Sequence, residues 1–269
     1  MSVFNLLFGK SRGAGAKWAF HCARKSLANI WQSRPYWHSD TRLLQLKNKH
    51  AGETCVIAGN GPSLKNTDFS LIKDLPSFGT NRIYLGMKNL GFNPTYHVMV
   101  DTVMLEQFWD EVKDLPMTKF IGHNGVGVRS RSETDAIFIR TTSLNGATTY
   151  FSNNPIYGVC VGATVTYICF QLAYWMGFKR VLLVGVDHNF VVPKGDAKEL
   201  IADGDDQNHF IKDYYPKGAT WLKPSLAGSE AAYRMARTAF ERDGREIIDC
   251  TVDGKCPIFK KTSLKEVRA

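Results

Sequence analysis

The sequence contains no run of about 18 apolar residues, the length that a membrane-spanning helix needs, so no such helix is expected. Its six cysteines include no C-x-x-C pair, which argues against a structural zinc site and a disulfide framework. We therefore expect reduced thiols in the core of a cytoplasmic protein. Hydrophobic residues make up 44% of the 269 positions and charged residues 22%, which excludes disordered and fibrous chains.

Acidic residues are nearly missing from positions 1–50, where nine lysines and arginines accompany a single carboxylate, Asp40. This segment therefore holds almost all of the formal net charge of +9. Because the rest of the chain is close to neutral, we expect no basic groove and no nucleic-acid partner.

From Glu53 onward, short apolar segments typical of buried strands alternate with segments of helical periodicity. The predicted strands are 55–58, 77–80, 96–100, 136–140, 180–185 and 246–249. The predicted helices are 68–75, 83–90, 103–114, 162–177 and 228–243. This alternation predicts an α/β protein with a doubly wound, mostly parallel, Rossmann-like sheet and helices on both faces. Residues 189–227 lack such periodicity and are predicted to form a long lid loop.

We expect two parts, a basic N-terminal helical extension over 1–50 and a single Rossmann-like domain over 51–269. Within 14–32, apolar residues recur at spacings of three and four, with the basic residues off that stripe. Basic and aromatic residues together favour peripheral contact with an anionic membrane surface, and we expect this surface to be the inner face of the membrane. A helix packed on the main domain with a solvated basic face explains the same pattern.

A glycine-rich turn, Gly59–Leu64 (GNGPSL), follows the first predicted strand. Its glycines let the backbone approach a ligand closely, and its free amides can face a phosphate. It is neither a dinucleotide fingerprint nor a P-loop, because Leu64 replaces the last glycine and no G-K-[ST] follows. A plain helix start at Pro62 is the alternative interpretation.

Polar residues follow three more predicted strands: Asn81, Asp101 and the pair Asp187-His188. Each is by itself typical of a turn or a helix cap. Ligands of doubly wound sheets bind beyond the carboxyl ends of the strands, so the four polar strand ends together predict a shared cleft. In it, the Asp187 carboxylate can accept a hydrogen bond from a ribose hydroxyl.

Two histidines are candidates for proton transfer, since histidine titrates near neutrality. His188 lies at a strand end, whereas His209 lies in the predicted lid, in a segment rich in polar and aromatic residues. We therefore predict that His209 is the general base. The triplet Asp203-Gly204-Asp205 also fits a metal-binding D-x-D motif, which acidic loops often match by chance.

The run Cys55–Leu64 (CVIAGNGPSL), with Asn81 and Gly185-Val186-Asp187 at later strand ends, resembles the small bacterial sialyltransferases. The resemblance implies a GT-A-like single Rossmann domain that uses CMP-sialic acid. It implies that two asparagines, Asn60 and Asn81, contact the CMP donor and that Asp187 holds the nucleotide portion. It also implies a catalytic histidine in the lid, which His209 matches.

In the same family two lid tyrosines bind the donor phosphate, and two of Tyr214, Tyr215 and Tyr157 would correspond to them. The small-residue turn before the central helix would correspond to Gly162-Ala163-Thr164. The expected nucleotide- or donor-binding residues are Gly59, Asn60, Gly61, Ser63, Asn81, Asp101, Gly162, Thr164, Asp187, His188, Tyr214 and Tyr215.

The span from about 50 to 260 is also similar to a broad group described as 6-hydroxymethylpterin diphosphokinase-like. The segments that carry this likeness are GNGPSL, TNRIYL, GATVTY, GVDHNF and NHF-x3-YY. The kinases of that group end their strands with more acidic residues, which hold metal-ATP. Here the ends are Asn81 and a lone Asp101, which favours the transferase.

We therefore expect a transferase that moves sialic acid or a related ulosonic acid from a CMP-sugar to a cell-surface glycan. The CMP-sugar is a substrate, no cofactor is required, and Mg²⁺ is not expected to be essential. Two alternatives remain open: pyrophosphate transfer from ATP, and a non-catalytic protein that binds nucleotide-sugars.

Overall fold

The computed structural model describes residues 38–123, 134–142, 149–191, 195 and 197–268. Contacts divide the chain into Met1–His38 and Ser39–Ala269, and every described strand belongs to the second unit. The helix predicted over 14–32 lies outside the described residues, so the extension and its membrane contact stay predictions. Among the described helices, none has the length and apolar character needed to cross a bilayer.

The described chain forms helices, short 3₁₀ turns and strands that alternate along the sequence. The helices are α1 (38–46), α2 (Met87–Leu90), α3 (Thr102–Val112), α4 (Val165–Trp175), α5 (Leu226–Arg242) and α6 (Leu264–Arg268). The 3₁₀ turns are Pro62–Asn66, Phe69–Leu71 and Ile83–Gly86. The strands are β1 (Thr54–Ala58), β2 (Ser77–Thr80), β3 (Tyr96–Met99), β4 (Thr118–Gly122), β5 (Ile137–Ile139), β6 (Thr141–Thr142), β7 (Val159–Cys160), β8 (Arg180–Val184), β9 (Glu199–Ile201), β10 (Thr220–Leu222), β11 (Glu246–Asp249) and β12 (Lys260–Lys261).

Eight strands form one sheet in the order β12-β11-β8-β1-β2-β3-β4-β5, and all of its pairings are parallel. The chain runs outward from β1 to β5 on one side and then from β8 to β12 on the other. The strand order therefore reverses between β1 and β8, which is the topological switch point where open α/β sheets bind ligands. The α/β, doubly wound, mostly parallel fold predicted from the sequence is confirmed.

The core consists of two apolar layers, one on each face of the sheet. Alternate residues of β1 enter different layers: Cys55 and Ile57 one, Val56 and Ala58 the other. Strands buried on both faces are continuously apolar rather than alternating, which is why the sequence signal was a short apolar run. Helix α4 is the central helix, with its side chains from Thr166 to Trp175 all buried.

The six predicted strands are present, with ends that differ by no more than one residue from the prediction. One core strand, β4, was missed because Lys119 interrupts its apolar pattern. That lysine is only 3% exposed and extends to Asp135 at 2.7 Å and to the Leu115 carbonyl at 2.7 Å. Its charge is thus paired at the end of a long stem, and the strand tolerates it.

The prediction of a helix over 68–75 is wrong. The segment forms only a three-residue 3₁₀ turn, Phe69–Leu71, followed by turns up to Pro76. Asp68 accepts a hydrogen bond from the amide of Ser70, which starts the turn, and Pro76 disfavours helix at the residue before it. The predicted lid contains the two-stranded hairpin β9–β10, which its weak periodicity did not indicate.

The loops after β1 and β8 touch each other through backbone atoms. The amide of Gly61 donates to the carbonyl of Gly185 at 2.9 Å. A Cβ on Gly61 would overlap Oδ2 of Asp187 and lie 2.9 Å from that same carbonyl oxygen, and a Cβ on Gly59 would overlap it directly. Glycine is therefore required at both positions for the strand ends to meet.

We predict that Gly61→Ala destabilises the protein by about 3 kcal/mol, the upper end of what an overpacked interior costs. The matched control is Gly91→Ala. Gly91 has φ +59° and open space around its Cβ position, so its variant should lose only the roughly 1 kcal/mol of a left-handed residue. Urea denaturation of both variants measures the difference, and equal losses would contradict the close approach of the two loops.

Candidate functional site

A cleft of about 560 Å³ opens at the carboxyl ends of the parallel strands. Its floor is the switch point between β1 and β8, and its walls come from the loops after β2 and β3, the start of α4 and the lid. Among the predicted donor and catalytic residues, those that line it are Gly59, Asn60, Gly61, Asn81, Asp101, Thr164, Asp187, His188, His209, Tyr214 and Tyr215.

Asp187 joins the two sides of the cleft floor. One of its carboxylate oxygens accepts from the amide of Ser63 at 3.1 Å and the other from the Ser63 hydroxyl at 2.6 Å. Burial raises the pKa of Asp187, and the hydrogen bonds from Ser63 oppose that rise. Ser63 itself is buried behind the cleft, so it positions Asp187 rather than lining the wall.

Two asparagines present unpaired carbonyl oxygens at neighbouring strand ends. The amide nitrogen of Asn60 donates to the carbonyl and hydroxyl of Thr80 at 3.0 and 2.9 Å. Oδ1 of Asn60 and Oδ1 of Asn81 are both buried with no hydrogen-bond partner among the described residues. A buried acceptor without a donor is costly, so this pair suits a ligand that brings hydrogen-bond donors, such as a base amino group or a ribose hydroxyl.

His97 supports the backbone of Asn81 through a hydrogen bond. Burial lowers the pKa of His97 to about 4, so the ring is neutral near pH 7. Its Nε2 lies 2.6 Å from the carbonyl oxygen of Asn81, and a neutral ring must donate there. Asn81 also has a left-handed backbone with φ 48°, a conformation that asparagine tolerates better than most residues. His97 thus holds a strained residue in place at the cleft.

Three helices begin at the cleft, and their first residues line it. Their N-cap side chains are those of Asp101 for α3, Thr164 for α4 and Ser225 for α5, and each accepts a hydrogen bond from its own helix. Helix N-termini favour anionic groups. The carboxylate of Asp101, whose pKa is raised by burial, occupies the first of them, which leaves the starts of α4 and α5 suited to an anionic ligand.

The turn before α4 has an unusual backbone. Gly162 and Ala163 have φ values of 54° and 63°, and a Cβ on Gly162 would overlap the Tyr167 ring. His188 at the end of β8 is left-handed as well, with φ 55°. Non-glycine residues held in this region are strained, and such strain concentrates at functional sites. Gly162 shapes the turn from outside the cleft lining.

His209 forms a histidine–carboxylate pair at the rim of the cleft. Its Nδ1 lies 2.9 and 2.8 Å from the two carboxylate oxygens of Asp206. Burial by itself would raise the pKa of Asp206, yet the hydrogen bond from His209 holds it below its usual value. An ionised Asp206 requires the proton on Nδ1, so in the neutral form of the ring Nε2 carries the lone pair and can accept a proton.

The orientation of the His209 ring is fixed by two aromatic neighbours. It stacks on Tyr214 with ring centroids 3.8 Å apart and an interplanar angle of 4°, and Tyr215 packs edge-on at 5.4 Å. The amide of Phe210 donates to the carbonyl of Asn60 at 2.9 Å, which ties this part of the lid to the loop after β1. His209 is thus oriented on two sides.

His188 has a different environment. Its Nε2 lies 3.2 Å from Oε1 of Glu230 on α5, and its side chain is 6% exposed. The ring centroid lies 6.3 Å from that of Tyr233. His188 therefore fastens the loop after β8 to α5 and also lines the cleft.

The hydroxyls of the two lid tyrosines are held by partners within the protein. The hydroxyl of Tyr214 accepts from the backbone amide of Arg82 at 3.2 Å, and the hydroxyl of Tyr215 donates to the sulfur of Met104 at 3.4 Å. Both side chains are buried, so they shape the cleft wall with their rings. The third candidate, Tyr157, is 83% exposed and lies outside the cleft lining.

Arg82 fastens the lid to the sheet. Its guanidinium donates to both carboxylate oxygens of Glu111 at 3.1 and 2.8 Å, to the hydroxyl of Tyr84 at 3.2 Å, and to the backbone carbonyl of Tyr214. It follows Asn81 directly in sequence, so a single buried side chain connects the end of β2 to the tyrosine on which His209 stacks.

Sequence reasoning missed Arg82 and His97, which hold other residues in place but match no ligand-binding pattern. It also missed the support from Thr80 at the end of β2, to which Asn60 donates, and from Trp221, whose ring stacks on Tyr215 with centroids 5.8 Å apart. Asp206 was included only as part of a polar segment; its position three residues before His209 was the available signal. The D-x-D pair Asp203 and Asp205 is exposed on a loop, and the described residues contain no group of three or more potential ligands that could hold a metal ion.

The fold and the cleft define a class: an α/β protein with a cleft at the switch point of a parallel sheet. The family described as 6-hydroxymethylpterin diphosphokinase MptE-like matches residues 29–192. The chain belongs to this MptE-like family, which confirms the broad group inferred from its motifs.

Among solved structures, the chain is similar to the MAf glycosyltransferase from Magnetospirillum magneticum AMB-1, with a TM-score of 0.53 and 17% identity. The match covers 81% of this chain and 35% of that one, so this chain spans about a third of the length of its structural neighbour. At this identity the likeness concerns the fold alone. No curated protein matches the sequence.

We predict that Arg82→Ala loosens the lid and lowers the free energy of unfolding by about 2 kcal/mol, the usual value of hydrogen bonds to a charged group. Hydrogen exchange of the amides over 209–215 should become faster. Arg242→Ala is the control, because Arg242 is 66% exposed in a pair with Asp243 and should change stability by less than about 0.5 kcal/mol. Unchanged exchange in the Arg82 variant would contradict the proposed fastening.

Proposed function

We propose that this protein transfers sialic acid or a related ulosonic acid from a CMP-sugar donor to a glycan acceptor. The observation that carries the proposal is the His209–Asp206 pair at the rim of a cleft whose floor holds two unpaired asparagine oxygens. The former is a preorganised base and the latter is a site for a nucleoside. Membership of the MptE-like family and the fold shared with a glycosyltransferase are consistent with it.

The donor is proposed to lie along the cleft floor. Its cytosine amino group and ribose hydroxyls would supply the donors that Oδ1 of Asn60 and Oδ1 of Asn81 lack. Asp187, held by Ser63, would accept from a further hydroxyl of the nucleotide. The phosphate and sugar carboxylate are anionic, and the starts of α4 and α5 offer the favourable ends of two helix dipoles.

The chemistry is proposed to be a single inverting displacement at the anomeric carbon. The acceptor hydroxyl oxygen forms a bond to that carbon while the bond from the carbon to the phosphate oxygen breaks, and its electron pair leaves with CMP. Nε2 of His209 takes the proton of the attacking hydroxyl, and Asp206 stabilises the imidazolium that results. The loop amides and helix N-termini would balance the charge that develops on the leaving phosphate, without a required cofactor or metal.

Pyrophosphate transfer from ATP is the second candidate, because the family description names a diphosphokinase. That reaction relies on carboxylates that hold Mg²⁺ between the phosphates. The strand-end carboxylates available are Asp101 and Asp187. One oxygen of Asp101 accepts from the amides of Val103 and Met104, and both oxygens of Asp187 accept from Ser63. These existing bonds favour the transferase.

CMP is expected to raise the melting temperature of the protein with EDTA present, because a ligand that binds only the native state stabilises it. ATP with Mg²⁺ is not expected to raise the melting temperature. Asn60→Ala should abolish the shift. Asn66→Ala, on the neighbouring turn outside the cleft lining, is the control and should retain it. A larger shift with ATP and Mg²⁺ than with CMP, or a CMP shift that needs a divalent ion, would favour the diphosphokinase.

Release of CMP from CMP-sialic acid should fall by about 10²–10⁴ in His209→Ala, the usual cost of losing a general base. Asp206→Asn should have a similar effect, since an asparagine amide can donate to Nδ1 and force the proton onto Nε2. Both variants should keep the thermal shift with CMP. His188→Ala should instead weaken CMP binding or stability, and a loss of turnover there with binding intact would reverse the two roles.

A further inference from the structure

A second cavity of about 320 Å³ adjoins the cleft on the lid side. It is enclosed by the hairpin β9–β10 and the loop that follows β9, and it shares four lining residues with the cleft. These are Asn208, His209, Tyr215 and Trp221. His209 thus stands in the wall between two spaces, as expected of a base that receives a proton from one bound molecule while another reacts.

The lining of this lid cavity combines apolar surface with hydrogen-bond acceptors. Val191 and Ile201 are 62% and 76% exposed, which is unusual for large apolar side chains, and both border the cavity together with Trp221. Asp203 and Asp205 border it as well. Apolar and aromatic surface can contact the C–H face of a sugar, while carboxylates accept hydrogen bonds from its hydroxyls.

The two spaces differ in charge. The cleft contains two carboxylates, Asp101 and Asp187, which accept hydrogen bonds from the start of α3 and from Ser63. It also contains Lys223 and the starts of α4 and α5, which favour an anion. The described lining of the lid cavity contains three aspartates and neither lysine nor arginine. A CMP-sugar carries a phosphate and a carboxylate, and the second space would repel it. An uncharged molecule with several hydroxyls meets no such penalty there.

We propose that the lid cavity is the acceptor site and that it accepts an uncharged sugar, one of whose hydroxyls reaches Nε2 of His209. This inference rests on the proposed transferase function. The nucleotide donor occupies the cleft, the acceptor enters from the lid side, and the aspartates exclude acceptors with a carboxylate or phosphate close to the reactive hydroxyl.

The test uses CMP-sialic acid as donor and a matched pair of acceptors, methyl β-galactoside and its 6-carboxyl analogue, methyl β-galacturonide. With the wild-type protein, kcat/KM for the neutral acceptor should exceed that for the charged one by about tenfold or more, because like charges in a confined site repel. The double variant Asp203→Asn with Asp205→Asn should bring the two values within about threefold of each other.

Two further variants separate acceptor binding from donor binding. Asp213→Asn removes a carboxylate from the same loop, outside both linings, and should leave the acceptor preference unchanged. Gln207→Trp introduces a bulky ring at an exposed residue that borders only the lid cavity. It should abolish transfer to the galactoside while CMP release to water and the thermal shift with CMP persist.

The outcomes distinguish this inference from the proposed function. If CMP is released to water but neither acceptor is glycosylated, or if the galacturonide is preferred, the inference is overturned and the donor assignment stands. The same holds if Gln207→Trp changes the KM for the donor instead of transfer. If wild-type protein releases no CMP under any condition, the transferase proposal itself fails.

Discussion

The structure depends on the close approach of the loops after β1 and β8. Two glycines, Gly59 and Gly61, leave room for this approach. The amide of Gly61 donates to the carbonyl of Gly185, and Asp187 accepts two hydrogen bonds from Ser63, so that both loops are held together. Because these two strands flank the point where the strand order reverses, their contact forms the floor of the cleft. The same atoms therefore stabilise the sheet and shape the cleft.

The orientation of His209 is set by two close neighbours in sequence and by one residue far from it. Asp206 holds Nδ1, the ring of Tyr214 supports its face, and Arg82 holds Tyr214 from the end of β2. The lid thus closes on the sheet through a buried guanidinium as well as through apolar packing. A guanidinium with fixed partners specifies one arrangement of the lid, whereas apolar packing tolerates several.

Charge divides the two spaces beside His209. Helix N-termini and Lys223 line the cleft beside Asp101 and Asp187, whereas the described lining of the lid cavity has three aspartates and neither lysine nor arginine. The near-neutral composition of the chain after residue 50 conceals this contrast, because opposite charges lie within one lid segment and cancel in any sum. Only their placement on either side of His209 distinguishes the two spaces.

The sequence by itself determined the fold class, the ends of six strands and eleven of the residues that line the cleft. Buried parallel strands are continuous apolar runs, and polar residues directly after them must lie at one edge of the sheet. Tertiary structure alone decided that β4 tolerates Lys119, which pairs with Asp135, and that the hydroxyls of Tyr214 and Tyr215 bond to Arg82 and Met104. These partners are distant in the chain, and local periodicity carries no record of them.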